Sequence, residues 1–376
     1  MPSIPTVRLI HETAELNALQ ERWNVLADES EYPNIFTTWE WAATWWKWFG
    51  DKKPGWKLFV LVIETENELL GIVPLYKKRK RLCFLGYGAT PCAEYLGPII
   101  RRGSIDTVCR AILEFLQTNS TQWDSIFLED YAMDDPGTVE LVRRLKESFP
   151  HHAEQGESRY YIPLPESYDD YLKSLSAHNR KRKRERLHQS KNRYAANWHV
   201  LPEDKFEFWF QTLVELTTLS RNRHREKNPF HQTDYHGFHH ELCERLHPGN
   251  QVVLGVLDFE EKPAAIWYVY LFHGKCAAYQ QGHDTNLKGS PSDVALQMLL
   301  MHLIENRFME FDFLRGGEWY KTNYTDTERR TESLTAFSRK NMAYLVFYMK
   351  RRFFQPIKKG VKTAIMAISS LLKKKT

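Results

Sequence analysis

Phe311-Asp312-Phe313-Leu314-Arg315-Gly316-Gly317-Glu318-Trp319-Tyr320-Lys321-Thr322-Asn323-Tyr324 follows a helical pattern that runs from Pro291 to Arg307. With Glu310, its first residues read as a short buried strand ending at Leu314, because Asp312 points opposite to Phe311 and Phe313. A glycine turn and a cluster of aromatic and charged side chains come next. A strand end that opens into a glycine loop is where α/β proteins place chemistry, since the rigid strand positions the loop. The unit that leads here, a hairpin followed by a third strand, a helix and a buried strand, occurs twice in the chain.

Its first occurrence uses the strands Lys57 to Ile63 and Leu69 to Tyr76, joined by Glu64-Thr65-Glu66-Asn67-Glu68. The second uses Gln251 to Phe259 and Ala264 to Phe272, joined at Glu260-Glu261-Lys262-Pro263. Both are apolar hairpins with acidic turns. Ser158 to Ile162 reads as the strand that closes the first copy, and Glu332 to Ser338 as the last strand of the second. The expected organisation is a mixed α/β fold in two copies, residues 1–164 and 165–348, followed by a basic tail at 349–376. At 376 residues the chain is long enough for two domains.

Composition narrows the class. Five scattered cysteines without a CxxC pair fit a reducing compartment. The N-terminus carries no basic-then-apolar export pattern, and no apolar run of about 18 residues predicts a membrane span. The expected location is cytoplasmic, at the inner membrane surface. The net charge of +5 is local: Arg180 to Arg193 holds eight Lys/Arg, and Lys350 to Lys375 is also basic. In the tail, Ile357, Val361, Ile365, Ile368, Leu371 and Leu372 sit amid lysines. This is an amphipathic basic helix, suited either to an anionic membrane face or to docking on the protein itself. His236 and His240 have i,i+4 spacing but no HExxH pattern, and no metal is expected.

Several blocks carry a family resemblance. Phe36-Thr37-Thr38-Trp39-Glu40-Trp41 and Trp45-Trp46-Lys47-Trp48-Phe49-Gly50 resemble the start of CelD-like acetyltransferases, members of the GNAT superfamily found in bacterial polysaccharide gene clusters. Leu70-Gly71-Ile72-Val73-Pro74-Leu75, Phe84-Leu85-Gly86 and Glu94-Tyr95-Leu96-Gly97-Pro98 resemble successive blocks, and Asp312 to Lys321 resembles the C-terminal signature. Two GNAT-like units in one chain are also similar to Fem-type peptidyltransferases, which use aminoacyl-tRNA. The resemblance implies tandem GNAT-like domains and acyl transfer to an amine or hydroxyl. It favours acetyl-CoA as donor and an amino sugar or other small-molecule or lipid-linked glycan precursor as acceptor. A Fem-like use of tRNA and a non-enzymatic assembly factor with the same fold are the alternatives.

GNAT proteins hold the donor pyrophosphate with a Gln/Arg-x-x-Gly-x-Gly/Ala loop at a helix N-terminus, where amides and the helix dipole meet the anion. Asn286-Leu287-Lys288-Gly289-Ser290-Pro291-Ser292 stands at the equivalent place with one glycine, and departs from that pattern. Pro291 suits the first turn and Ser290 the N-cap. Lys288, Gly289, Ser290 and Ser292 are the candidate donor-binding residues, and the same stretch also reads as an ordinary capped helix.

Acyl transfer to an amine needs a base for the nucleophile and a proton donor for the leaving thiolate. Asp284, Asp312, Glu318 and Tyr320 are candidates, with Lys321 for an oxyanion or an anionic acceptor. Strand-end hydrogen bonding or simple packing accounts for the same residues. Glu94 and Tyr95, in a Gly/Pro loop, and Arg315 and Glu318 are candidates for binding the acceptor in a groove between the halves. The basic helix, through Arg180 and Arg184, is read either as a phosphate grip or as a solvated face. The first copy has no comparable phosphate loop and is expected to be non-catalytic.

Overall fold

The computed structural model describes residues 4–88, 93–200, 205–223, 225–316, 319–339 and 342–349. In chain order the strands are β1 (Thr6–Ile10), β2 (Trp56–Leu58), β3 (Val60–Glu64), β4 (Leu69–Val73), β5 (Leu75–Lys78), β6 (Arg81–Phe84), β7 (Ile99–Ile100), β8 (Ser125–Ala132) and β9 (His151–Gln155). There follow β10 (Arg159–Pro163), β11 (Asn197–Val200), β12 (Val252–Phe259), β13 (Lys262–Phe272), β14 (Lys275–His283), β15 (Glu310–Asp312), β16 (Glu328–Arg329) and β17 (Thr331–Phe337).

The first half holds two sheets, ordered β1-β3-β4-β7 and β2-β5-β6-β8-β17-β9. One hairpin feeds both. Pro74 has no amide hydrogen for the ladder, so the strand breaks there. Phe59 N–H donates to Leu75 O at 2.9 Å across the break, which carries the hairpin from one sheet into the other. The second half is a seven-stranded sheet, β11-β12-β13-β14-β15-β10-β16.

Two strands differ from the sequence expectation. β10, read as closing the first unit, pairs antiparallel with β15 and β16 in the second sheet. β17, read as the last strand of the second unit, inserts between β8 and β9 in the first. The halves have exchanged strands. Alternation marks a strand and its buried face, but it carries no information about which neighbour that strand will pair with.

Helices cover the second sheet. Pro291–Glu305 buries Val294, Leu296, Leu299, Leu300 and Leu303, and the basic helix Ala177–Tyr194 packs over it. Phe206–Arg223 lies against β14 so closely that a Cβ on Gly282 would come within 2.4 Å of the Thr217 backbone nitrogen. Among the described residues no helix is long and apolar enough to cross a membrane.

Candidate active site

β14 and β15 run parallel, with Lys275, Cys276 and Ala277 opposite Glu310, Phe311 and Asp312. Beyond these three pairs the strands part, because the chain turns through left-handed conformations at Leu314 (φ 56°) and Gly316 (φ 118°). Lys321 holds that turn. Its side chain is buried, and Nζ donates toward the carbonyls of Phe313, Leu314, Arg315 and Gly316 at 3.5, 3.3, 3.2 and 2.7 Å. An ammonium has three protons and no acceptor, so converging carbonyls satisfy its burial. The gap between the parted strands is a cleft of about 620 Å³, lined by Ala278, Gln280, Gln281, Phe313, Arg315, Tyr320 and Lys321 among others.

A second cleft of about 720 Å³ adjoins it at the start of the Pro291–Glu305 helix; Trp267, Gln281, His283 and Tyr320 line both. Here lie Asp284, Lys288, Gly289, Ser290 and Ser292, together with Arg182, Arg186 and Arg223. Asp284 accepts the Asn286 N–H at 2.8 Å and shapes the loop. Gly289 (φ 92°) rests on the Tyr194 ring, where a Cβ would approach to 2.5 Å. Ser290 occupies the expected N-cap position but in a left-handed conformation and without a side-chain cap bond, which corrects the capping expectation. Ser292 Oγ donates instead to Gln281 Oε1 at 3.2 Å, tying the helix start to β14.

Under this loop sits a buried ionic cluster. Asp293 accepts from Lys183 Nζ at 3.3 Å and Gln297 at 3.0 Å, bonds the Tyr324 hydroxyl, and pairs with Arg186 at 3.1 Å. Burial pushes the Lys183 ammonium down to about 8 despite the Asp293 carboxylate. Burial also acts to raise Asp293, but Lys183, Tyr324 and Arg186 together hold it below the usual carboxylate range. Lys183 further sits 3.3 Å over the Tyr324 ring.

The structure does not bring all the predicted residues together. Asp312 faces away from the clefts, into a cavity of about 40 Å³ on the other side of β15, where Tyr95 and Arg329 also lie. Its carboxylate accepts from Tyr95 Oη at 2.8 Å, Arg329 Nη1 at 2.6 Å and the Leu314 amide at 2.7 Å. Burial lifts that carboxyl to about 6 against the pull of Arg329. Glu94 and Tyr95, expected along an open groove, are buried at the junction between the halves. Glu94 bonds Arg159 Nε at 3.2 Å and Arg315 Nε at 3.1 Å, so it reaches the cleft only through Arg315. Arg184 turns outward to Asp169 at 3.4 Å, and Arg180 is not among the residues lining the cleft. Glu318 and the tail after Met349 lie outside the described residues.

Arg182, Arg186, Arg223, Gln281, His283 and Trp267 were missed as site residues. The sequence did hold a signal for two of them. Leu187 is the one leucine of the basic helix, and it lies with Lys183, Ser190 and Tyr194 on a single face by helical spacing. That face packs inward, which brings Arg182 and Arg186 to the cleft edge. Arg223, Gln281, His283 and Trp267 come from separate elements and have no shared spacing.

Residues 176–322 match the family model described as an acetyltransferase (GNAT) domain. No curated protein matches the chain. Among solved structures, FemX superposes with a TM-score of 0.61 at 10% identity, over 87% of this chain and 96% of that one. The C-terminal DUF2156 domain of a putative lysylphosphatidylglycerol synthetase from Agrobacterium fabrum gives 0.54 at 10% identity, over 90% and 95%. The L-PGS of Bacillus licheniformis gives 0.53 at 14%, over 90% and 96%. At these identities the likeness is one of fold. The chain is a mixed α/β protein of GNAT-like architecture, and its second half carries a GNAT-type transferase domain.

Proposed function

We propose, from the GNAT-type transferase domain at residues 176–322, that the protein transfers an acyl group from acyl-CoA, most simply acetyl-CoA, to the amine of an amino sugar or related glycan precursor. The observation that carries this reading is the pair of joined clefts, one at a helix N-terminus and one between parted parallel strands. Arg182, Arg186, Arg223 and Lys288 put four cations around the first cleft, the charge that a nucleotide diphosphate requires. Among the described residues, the amides of Gly289, Ser290 and Ser292 donate to no protein acceptor, so they are available to an anion at the helix start.

In this reading the acyl thioester reaches between β14 and Phe313, and the acceptor enters beside Gln280 and Arg315. The amine nitrogen attacks the thioester carbonyl carbon; a C–N bond forms and the C–S bond breaks. Tyr320, at the wall shared by both clefts, gives its hydroxyl proton to the departing sulfur, the amine proton passes to solvent, and solvent returns a proton to the Tyr320 phenolate, so the turnover balances. Lys321 acts as the tie that holds the loop carbonyls. The CelD-like resemblance supports a glycan acceptor, and the polar lining of Ser220, Glu226, Gln280 and Arg315 suits a hydroxyl-rich molecule.

Calorimetry with acetyl-CoA tests the reading. Wild type is expected to bind saturably and Gly289→Glu not at all, because the new side chain adds a negative charge to the cation cluster and meets Tyr194. Wild type that gives no heat with acetyl-CoA would overturn it. One observation favours a second reading: besides Arg182 and Arg186 in the cleft, the helix carries Lys181 and Arg184 on its exposed side. A helix with cations on both its cleft side and its exposed side also fits an aminoacyl-tRNA donor, although Lys181 and Arg184 each pair with a carboxylate, Glu185 and Asp169; salt-dependent tRNA binding without acetyl-CoA binding would select it.

A further inference from the structure

We propose that the helix Met342–Met349 is a docking face for an anionic lipid surface. Two rings fasten it to the first half: Tyr344 and Phe347 pack on Phe337 at 5.4 and 5.3 Å, and Phe347 also lies 5.4 Å from His152. That packing turns a different stripe outward. Leu345 and Met349, four residues apart, are 50% and 57% exposed, and Val346 beside them is 38% exposed. The helix, Met-Ala-Tyr-Leu-Val-Phe-Tyr-Met, contains no charged residue.

The occupant is argued from charge and area. From Lys340 to Thr376 the chain has ten Lys/Arg and no Asp or Glu. Those ten exceed the net charge of +5 for the whole molecule, so everything before Lys340 is net negative. In sequence, Lys340 precedes the helix that carries the exposed apolar stripe, and Lys350, Arg351 and Arg352 follow it directly. A handful of half-exposed side chains falls well short of the roughly 800 Å² per partner that a stable dimer buries, and a second copy would bring the same positive charge. An anionic bilayer satisfies both features: the apolar side chains enter the acyl boundary while the lysines and arginines meet phosphate headgroups.

Flotation of the full chain with vesicles tests this. Wild type is expected to float with phosphatidylcholine vesicles containing phosphatidylglycerol, to stay behind with phosphatidylcholine alone, and to be released by high salt. Leu345→Asp with Met349→Asp should weaken partitioning roughly tenfold or more, the equivalent of losing one leucine-sized burial. Leu345→Ser with Met349→Ser reads the same face should the aspartates unfold the helix. Lys350→Glu with Arg351→Glu and Arg352→Glu should also lose binding to the anionic vesicles. Failure of wild type to float, equal binding to both vesicle types, or full binding by the Leu345/Met349 variants would each overturn the proposal. So would a wild-type dimer that Leu345→Asp dissociates, because a second copy would then cover the stripe.

Discussion

Asp293→Asn should be among the most damaging single-atom changes in this protein. The carboxylate is 8% exposed and compensates Lys183, which is fully buried. Burial moves the lysine from an ordinary 10.5 to about 8 even with its partner present, a preference of about 3 kcal/mol for the neutral amine over the ordinary lysine. Removing the partner leaves an uncompensated buried charge, which costs about 3–5 kcal/mol. For a unit of about 180 residues that is a fall in Tm of roughly 6–20 °C. The pH dependence identifies the cause. A lysine whose folded value lies below its unfolded value binds more protons when unfolded, so stability rises with pH between the two values. In wild type that window opens at about 8. Without Asp293 it opens lower, so the deficit of the variant should be widest near about pH 6, narrow up to about pH 8 and stay constant above it. Thermal unfolding across this range measures the deficit, and Lys183→Met in the Asp293→Asn background should recover most of it. A variant within about 1 kcal/mol of wild type at neutral pH, or a deficit that ignores pH, would refute the reasoning.

Arg182→Ala should weaken acetyl-CoA binding by about tenfold or more, the loss of one charge-assisted contact, whereas Arg184→Ala should change it less than about twofold because that side chain points outward; calorimetry decides, and equal losses would refute the assignment of faces. Glu94→Gln should lower stability by about 3 kcal/mol, because it strips the buried Arg159 of a partner, and it should also reduce kcat by loosening Arg315; a variant that melts like wild type would count against the junction as described. Gly282→Ala should destabilise by about 1–3 kcal/mol, since its Cβ collides with backbone of the Phe206–Arg223 helix rather than with a flexible side chain; denaturant unfolding measures it.

The elements that the sequence made legible are those whose pattern is local. The two apolar hairpins, the Pro291 helix and the strand entering the Gly316 turn are written in alternation, helical spacing and glycine. Tyr320 and the loop at Gly289 are at the clefts, as their position after a strand and before a helix suggested. Asp312 misled because strand alternation fixes that it points opposite to Phe311 but not what lies on that side; Tyr95 and Arg329, from distant segments, lie there. The basic helix misled for another reason. Charge density drew attention to Arg180 and Arg184, while the weak apolar signal at Leu187 set the rotation that presents Arg182 and Arg186. Partners of β10 and β17 could not be read at all, because pairing across more than a hundred residues leaves no trace in either strand's own pattern.

That exchange governs the order in which the protein can be made. Among the described residues β9 joins its sheet only through β17, and residue 331 is synthesised 176 residues after Gln155, the end of β9. At roughly 5–20 residues per second, the first half waits on the order of ten seconds or more with the edge of β8 open. An open strand edge is a template for wrong pairing. Each half therefore supplies a piece the other needs to finish, and the chain closes as one body only when Phe337 arrives beside Ser125.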